Sequence, residues 1–319
     1  MPKPCIIVLS LLLLTGCWNA EEIDSTALAH GVGLDRAGDK LKVSFEIIRP
    51  TPVGGTNVGE NEGVGRHIIL ENEVDTLLTG VRAMIRTSKR RLHFEHARVF
   101  IIGDELAKED AISELNSIRR DQMFRLGSYL FVTEDDPAEV LHTPTLYEHL
   151  TSLELSDAME ETTFTTGYIP VNVYQFFAML EGVLGNAYLP MIALQEIQGE
   201  KSTALDGTAV FKEGKMVGRL TINETIGLNW LLNNIEGGSI TIGLDNNQKG
   251  AVRIKEAKTK FNPALEGEHL QVEVLIHLTV DFVDNPLDVQ VNEDLLSEIK
   301  RKVSRKVESD VSLALKKLQ

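Results

Sequence analysis

The sequence predicts a multi-domain protein of mixed class, α+β or mixed α/β, in which mixed β-sheets pack against helices. Two patterns lead to this prediction. Stretches in which apolar and polar residues alternate are typical of strands, and stretches in which apolar residues recur every three or four positions are typical of helices. Both kinds are interleaved along 319 residues, of which 43% are hydrophobic. A chain of this length favours about two domains.

The first two strands are predicted to form a hairpin. Thr26–Asp35 and Leu41–Ile47 have strand patterns, and the turn-forming residues Ala37–Gly38–Asp39 lie between them. Because the second strand alternates, we expect it to have one buried and one exposed face. Residues 54–65 are rich in Gly, Asn and Glu, which predicts a mobile loop.

The middle of the N-terminal half alternates between strand and helix patterns. Residues 67–132 follow the order β-α-β-α-β, which predicts an α/β layer with helices packed on a sheet. Residues 137–180 have mainly helical patterns, and Tyr188–Leu194 has a strand pattern. These elements, together with the hairpin, form the predicted N-terminal domain, residues 17–195.

A polar stretch, Gln195–Thr203, predicts the boundary to a C-terminal domain, residues 203–319. In that domain two short strands meet at Glu213–Gly214–Lys215, and a helix follows. Residues 270–282 alternate without a break, so we expect a strand in the centre of its sheet. Asn292 is a suitable cap for a long helix that runs to the end of the sequence.

The first residues predict a lipoprotein signal peptide, residues 1–16. Lys3 precedes an apolar run that is too short to span a bilayer but fits the apolar part of a signal peptide. The run ends at Leu14–Thr15–Gly16–Cys17, the pattern of a lipobox. The Cys17 thiol is expected to take the lipid and so hold the chain on the outer face of the cytoplasmic membrane. A buried core strand is the alternative.

Composition excludes several kinds of partner. A net charge of −15 argues against nucleic acid, which needs clustered Lys and Arg, and against broad adhesion to an anionic membrane. The chain has two cysteines. Cys5 leaves with the signal peptide and Cys17 carries lipid, so no disulfide is expected and stability must come from packing.

No catalytic constellation is visible, and we expect neither an enzyme nor a cofactor. His93, Glu95 and His96 lie close together, but next to a predicted strand the two histidines would point to opposite faces, so a surface location is favoured over a metal site. A Gly-x-Ser-x-Gly elbow is absent. Asp135 and Asp136 are more typical of the capped start of a helix.

Several stretches together resemble the Ger(x)C family of spore germination lipoproteins, the C subunits of nutrient-germinant receptors. Their order after a lipobox is more specific than any one of them. The mature start of that family is matched most clearly by Trp18, Glu22 and Ile23. The stretches are Cys17–Ile23, residues 91–99 with 102–107, residues 119–125, and residues 207–218 with 228–231.

This sequence departs from the family pattern at two places. Asn19 stands where the family more often has Asp. The family also usually continues past the position of Gln319 with more helix and a closing strand, so the C-terminal domain is expected to be shortened.

The resemblance implies a non-enzymatic subunit on the outer face of the inner spore membrane, beside two integral-membrane subunits of the A and B types. It would be needed for germination triggered by nutrients, with the membrane subunits favoured as the nutrient-binding part. One alternative is a solute-binding lipoprotein of a transporter. Such proteins usually have two similar lobes, whereas the two halves of this sequence have different element orders. A lipid-anchored envelope enzyme is the other.

Overall fold

A computed structural model describes residues 26–48, 67–161, 166–243, 249–284 and 292–319. The predicted loop at residues 54–65 lies outside them. The strands are β1 (Thr26–Ala37), β2 (Lys40–Ile48), β3 (His67–Val74), β4 (Arg91–His93), β5 (Val99–Gly103), β6 (Tyr129–Thr133), β7 (Asn186–Ile197), β8 (Glu200–Lys212), β9 (Lys215–Leu220), β10 (Ser239–Gly243), β11 (Lys249–Glu266) and β12 (His269–Asp284). The helices are α1 (Leu77–Ser88), α2 (Asp104–Glu109), α3 (Ala111–Arg120), α4 (Pro137–His142), α5 (Thr151–Glu160), α6 (Val173–Leu180), α7 (Ile222–Leu231) and α8 (Glu293–Leu318).

A nine-stranded mixed sheet dominates the molecule. Its order is β3-β2-β1-β5-β6-β7-β8-β9, and β4 pairs with the start of β1. The strands β1, β5, β6 and β7 are parallel, while antiparallel hairpins extend the sheet on both sides. The mixed fold class is therefore confirmed. Of the predicted β-α-β-α-β order, the last two strands form the parallel pair β5 and β6, whereas the first strand, β3, lies at the edge of the sheet and pairs antiparallel with β2.

Helices cover both faces of this sheet. In β5, Phe100 and Ile102 belong to the core under α1, α3 and α6, whereas Val99 and Ile101 belong to a separate core under α4 and α5. All five residues of β5 are buried. A strand buried on both faces has a continuous apolar sequence, which is typical of parallel sheets.

The predicted hairpin of β1 and β2 is confirmed, with Gly38 in the turn at a positive φ of 62°. The expectation that β2 is half-buried is wrong. Its apolar residues face the first core, but Ser44 and Glu46 on the opposite face are also buried. The reason is that α4 and α5 cover this face, and Glu46 accepts hydrogen bonds from the backbone at the start of α5.

The polar stretch at the predicted boundary forms the outer end of the β7–β8 hairpin. Gln195 lies opposite Ser202, so backbone pairing continues past this point and brings β8 and β9 into the large sheet. A second sheet, of three strands in the order β10-β11-β12, follows later in the chain. The division into residues 17–195 and 203–319 stays a prediction.

The strand predicted to be central, β12, is instead at the edge of the three-stranded sheet. One face of it, with Ile276, Leu278 and Val280, packs against a core that includes Val252 of β11 and Val303 of α8. Alternation shows that one face of a strand is apolar, but it does not specify how many strands pair with it. This is why the sequence pattern misplaced β12.

The long C-terminal helix begins as the sequence predicts. The Asn292 side chain accepts a hydrogen bond from the backbone N–H of Leu295 at 2.8 Å. Glu293 and Asp294 lie in the first turn, and Lys316 and Lys317 in the last. Both pairs have the sign that the helix dipole favours.

The difference between β11 and β12 can be tested with aspartate substitutions. Val252 is 0% exposed and Val272 is 47% exposed. Val252→Asp should lower the free energy of unfolding by roughly 3–5 kcal/mol because it leaves a buried charge unpaired. Val272→Asp should change it by no more than about 0.5 kcal/mol.

The measurement is urea denaturation followed by fluorescence of Trp230, which lies in this core. The other tryptophan, Trp18, is replaced by Phe. Equal losses of stability for the two variants would contradict the exposure of this part of β12.

Candidate functional site

The residues predicted for lipidation lie outside the described part of the chain. These are Leu14, Thr15, Gly16 and Cys17 of the lipobox and the family signature Trp18, Glu22 and Ile23. Their roles stay predictions. In the described ranges, no helix is both long and apolar enough to cross a membrane.

The histidines near β4 differ in burial and in their neighbours. His93 is half-buried and His96 is exposed, and the His96 ring centroid lies 6.1 Å from that of His30 on β1. Burial lowers the pKa of His30, and the neighbouring His96 and Arg98 lower it further. Among the residues that the structure describes, no group of three His, Cys, Asp or Glu side chains is placed to hold a metal.

Asp135 and Asp136 have structural partners. The Asp136 side chain caps α4 by accepting a hydrogen bond from the Ala138 N–H at 2.9 Å, and Pro137 occupies the first turn. Asp136 also pairs with Lys42 at 2.5 Å. Asp135 accepts a hydrogen bond from the Leu194 N–H at 2.7 Å. The predicted helix cap is confirmed.

Glu46 is a buried carboxyl group that the sequence pattern did not reveal. It is 0% exposed and lies at the start of α5. Its two oxygens accept hydrogen bonds from the backbone N–H groups of Thr151 at 2.8 Å and Ser152 at 3.1 Å. The side chain therefore connects β2 to the positive end of a helix.

Gly31 makes room for this carboxyl group. It lies opposite Glu46 on β1, and a Cβ atom added there would lie 2.6 Å from Leu141 Cδ2 and 3.2 Å from Glu46 Oε2. A larger residue would therefore have to displace the Leu141 side chain and crowd the carboxyl group. Burial raises the pKa of Glu46 to about 7, although the hydrogen bonds from Ser152 and Thr151 favour the charged form.

Helix α7 connects the two sheets. Leu228 packs in the core of the nine-stranded sheet, whereas Trp230 packs in the core of the three-stranded sheet. At Gly227 the helix crosses α8 so closely that an added Cβ atom would lie 2.0 Å from the carbonyl oxygen of Asp310. Only glycine allows this approach.

Polar contacts fix α7 on both sides. Thr225 shares a buried hydrogen bond with Thr208 of β8 at 3.0 Å. Asn229 donates from Nδ2 to the carbonyl oxygens of Thr166 at 2.8 Å and Tyr168 at 3.0 Å. The Thr259 hydroxyl of β11 donates to the Trp230 carbonyl oxygen at 2.6 Å. The family-like stretches 207–218 and 228–231 thus contribute to packing between sheets.

An open groove of about 760 Å³ runs between β12 and α8. Its walls are mainly aliphatic, with polar side chains at the rim, including His277, Lys300 and Glu308. The apolar walls include Val274, Ile276, Leu278, Val280, Ile299, Val303, Val307 and Val311.

Comparison with protein families gives two matches in sequence order. Residues 19–194 match the family described as "Spore germination protein N-terminal domain". Residues 206–319 match the family described as "Spore germination B3/ GerAC like, C-terminal". Together the two matches span most of the chain.

Individual relatives agree with these matches. The chain is 26% identical to spore germination protein B3 of Bacillus subtilis (strain 168) over 328 residues, which covers 99% of this chain and 84% of that protein. It is 24% identical to spore germination protein KC of the same organism over 351 residues, which covers 100% of this chain and 84% of that protein. The crystal structure of the GerBC protein has the same fold, with a TM-score of 0.55 and 20% identity over 94% of this chain and 85% of that one.

The buried Glu46 makes stability depend on pH. Because its pKa rises from an ordinary 4.5 to about 7 on folding, the folded state holds the proton more tightly. The resulting stabilisation is fully present below pH 4.5 and is lost as the pH rises through about 7. A shift of this size corresponds to about 3 kcal/mol.

Urea denaturation at several pH values from 4.5 to 8 measures this loss. The free energy of unfolding of wild type minus that of Glu46→Gln should fall by about 3 kcal/mol across that range, because Gln cannot titrate. Glu73→Gln, at an exposed position on β3, is the matched control. If the free energy of unfolding depended on pH in the same way for wild type and Glu46→Gln, the pKa of Glu46 would not change on folding.

Proposed function

Because the chain belongs to the Ger(x)C family of spore germination proteins, we propose that it is a lipid-anchored, non-catalytic subunit of a nutrient-germinant receptor. The observation that supports this most is the pair of family matches at residues 19–194 and 206–319. They begin two residues after the predicted lipobox cysteine and follow one another in order. The subunit would be needed for germination triggered by nutrients.

The anchor would be the lipid on Cys17. After removal of residues 1–16, the chain would be held on the outer face of the inner spore membrane. Its partners would be integral-membrane receptor subunits of the A and B types. Sharing one membrane surface raises the effective concentration of such partners for each other, so that even modest contacts suffice for assembly.

A non-catalytic role is supported by how the polar interior is used. Glu46 bonds the start of α5, Asp136 caps α4, and Asp135 bonds the backbone of β7. Each of these carboxyl groups stabilises a junction between elements.

The solute-binding alternative has less structural support. Solute-binding proteins usually have two similar lobes around a cleft. In the described residues, one sheet has nine strands and the other has three. A thermal-shift screen with amino acids and sugars would still detect such a function.

Deletion of the gene, followed by complementation, tests the proposal. The deletion should slow or abolish germination on one class of nutrient while growth and sporulation stay normal. Wild type should restore the response, and Cys17→Ala should not, because the chain would lose its anchor. Lipid labelling and membrane fractionation of the same strains check that loss.

Germination by calcium dipicolinate or a surfactant is the control, since neither trigger needs nutrient receptors. It should survive the deletion. A growth defect on one solute with normal nutrient germination would favour the transporter alternative. Full activity and washed-membrane retention of Cys17→Ala would contradict the anchor.

A further inference from the structure

The amino ends of the parallel strands β1, β5 and β6 lie at one edge of the large sheet. Helices α1 and α3 run back from the other edge. Residues 89–98, which follow α1, and residues 119–128, which include the last two residues of α3, therefore lie at this same edge. We call these two segments the basic edge. They hold seven lysines and arginines and two carboxylates: Lys89, Arg90, Arg91, Arg98, Arg119, Arg120 and Arg125, with Glu95 and Asp121.

The opposite edge of the sheet is acidic. Residues 104–110 and 134–139 follow the carboxyl ends of β5 and β6 and hold eight carboxylates and one lysine. Nearby cations are paired with these carboxylates: Arg36 contacts Glu109 at 2.9 Å, and Arg219 contacts Glu134 at 2.7 Å. The two pairs of segments thus carry opposite net charges.

Two arginines of the basic edge, Arg98 and Arg125, are available for an external anion. Arg98 and Arg125 are exposed and line a hollow of about 130 Å³ beside Tyr129 and Glu160. Neither arginine makes an ion pair with another described residue. Burial raises the pKa of Tyr129, and the charges of Glu160 and Arg98 act on it in opposite directions. Arg119 differs, because it pairs with Glu181.

The start of β1 lies at this edge as well. Thr26 pairs with Arg91 of β4, and the Arg90 guanidinium donates to the Thr26 carbonyl oxygen at 3.4 Å. Cys17 is nine residues before Thr26, which in extended form is a reach of at most about 30 Å. A lipid on Cys17 therefore keeps the basic edge within that distance of a bilayer.

From this placement we propose that the basic edge docks on an anionic lipid surface and orients the protein with its acidic edge away from the membrane. The proposal rests on the lipid anchor proposed above. The overall charge of −15 does not prevent such contact. At physiological salt, charges are screened over about 8 Å, whereas a strand of five residues such as β5 separates the edges by about 17 Å.

Vesicle sedimentation with the unlipidated chain, starting at Trp18, tests whether the basic edge binds anionic lipid without the anchor. It should bind vesicles that contain phosphatidylglycerol more strongly than vesicles of phosphatidylcholine alone, and added salt should weaken the binding. Arg98→Gln with Arg125→Gln should lower the partition coefficient about 25-fold, since each cation near the surface contributes about five-fold.

The matched control is Lys40→Gln with Lys201→Gln. It removes the same charge from exposed positions at the opposite ends of the strands and should lower partitioning less than about two-fold. Thermal melting of both variants checks that they fold.

Equal partitioning on the two kinds of vesicle, or equal losses for the two double variants, would overturn the proposal. An acidic protein surface would then be the better candidate for the edge. Because no lipid is attached in this assay, its outcome is independent of whether Cys17 is modified in the cell.

Discussion

The close crossing of α7 and α8 at Gly227 is the contact on which the arrangement of the two sheets depends. One turn of α7 places Leu228 in the first core and Trp230 in the second. At Gly227 its backbone meets that of α8 without an intervening side chain, since an added Cβ atom would lie 2.0 Å from the Asp310 carbonyl oxygen. Hydrogen bonds of Thr225 and Asn229 then fix the helix against the larger sheet.

The two sheets that meet at this junction are covered differently. The large sheet is covered on both faces, and its buried Glu46 ties β2 to α5. The smaller sheet is covered on one face by α8, with an open aliphatic groove beside β12. For a subunit that we propose to be tethered through Cys17, the tether and the basic edge are at the start of β1. The junction then connects the membrane-proximal sheet to the smaller one.

Local chemistry allowed much of the fold to be predicted. The Gly38 turn and the Asn292 cap are each specified by neighbouring residues, and both were found as expected. The position of β12 and the burial of β2 depend on elements far away in the sequence. A pattern of alternation says nothing about them.

The features of the candidate site likewise divide into those set by neighbouring residues and those set by distant elements. The Asp136 cap is local and was predicted, but the role of Glu46 is not. Its partners Thr151 and Ser152 are more than a hundred residues away, and a glutamate in an alternating strand normally indicates a solvent-facing position. The one available signal was Gly31–x–Gly33 in the paired strand, because two glycines on one face of a strand indicate that another element packs closely against that face. The basic edge likewise became apparent only once the topology placed residues 89–98 and 119–128 together.

Hydrogen exchange of wild type and Gly227→Val measures the role of the junction most directly. If the crossing holds the small sheet on the large one, backbone amides of β11 and α8 should exchange much faster in the variant, while those of β5 and β6 keep wild-type rates. Unchanged exchange in β11 and α8 would contradict this account. So would an equal acceleration in β5 and β6, because it would mean that the crossing supports the whole chain and not the contact between the sheets.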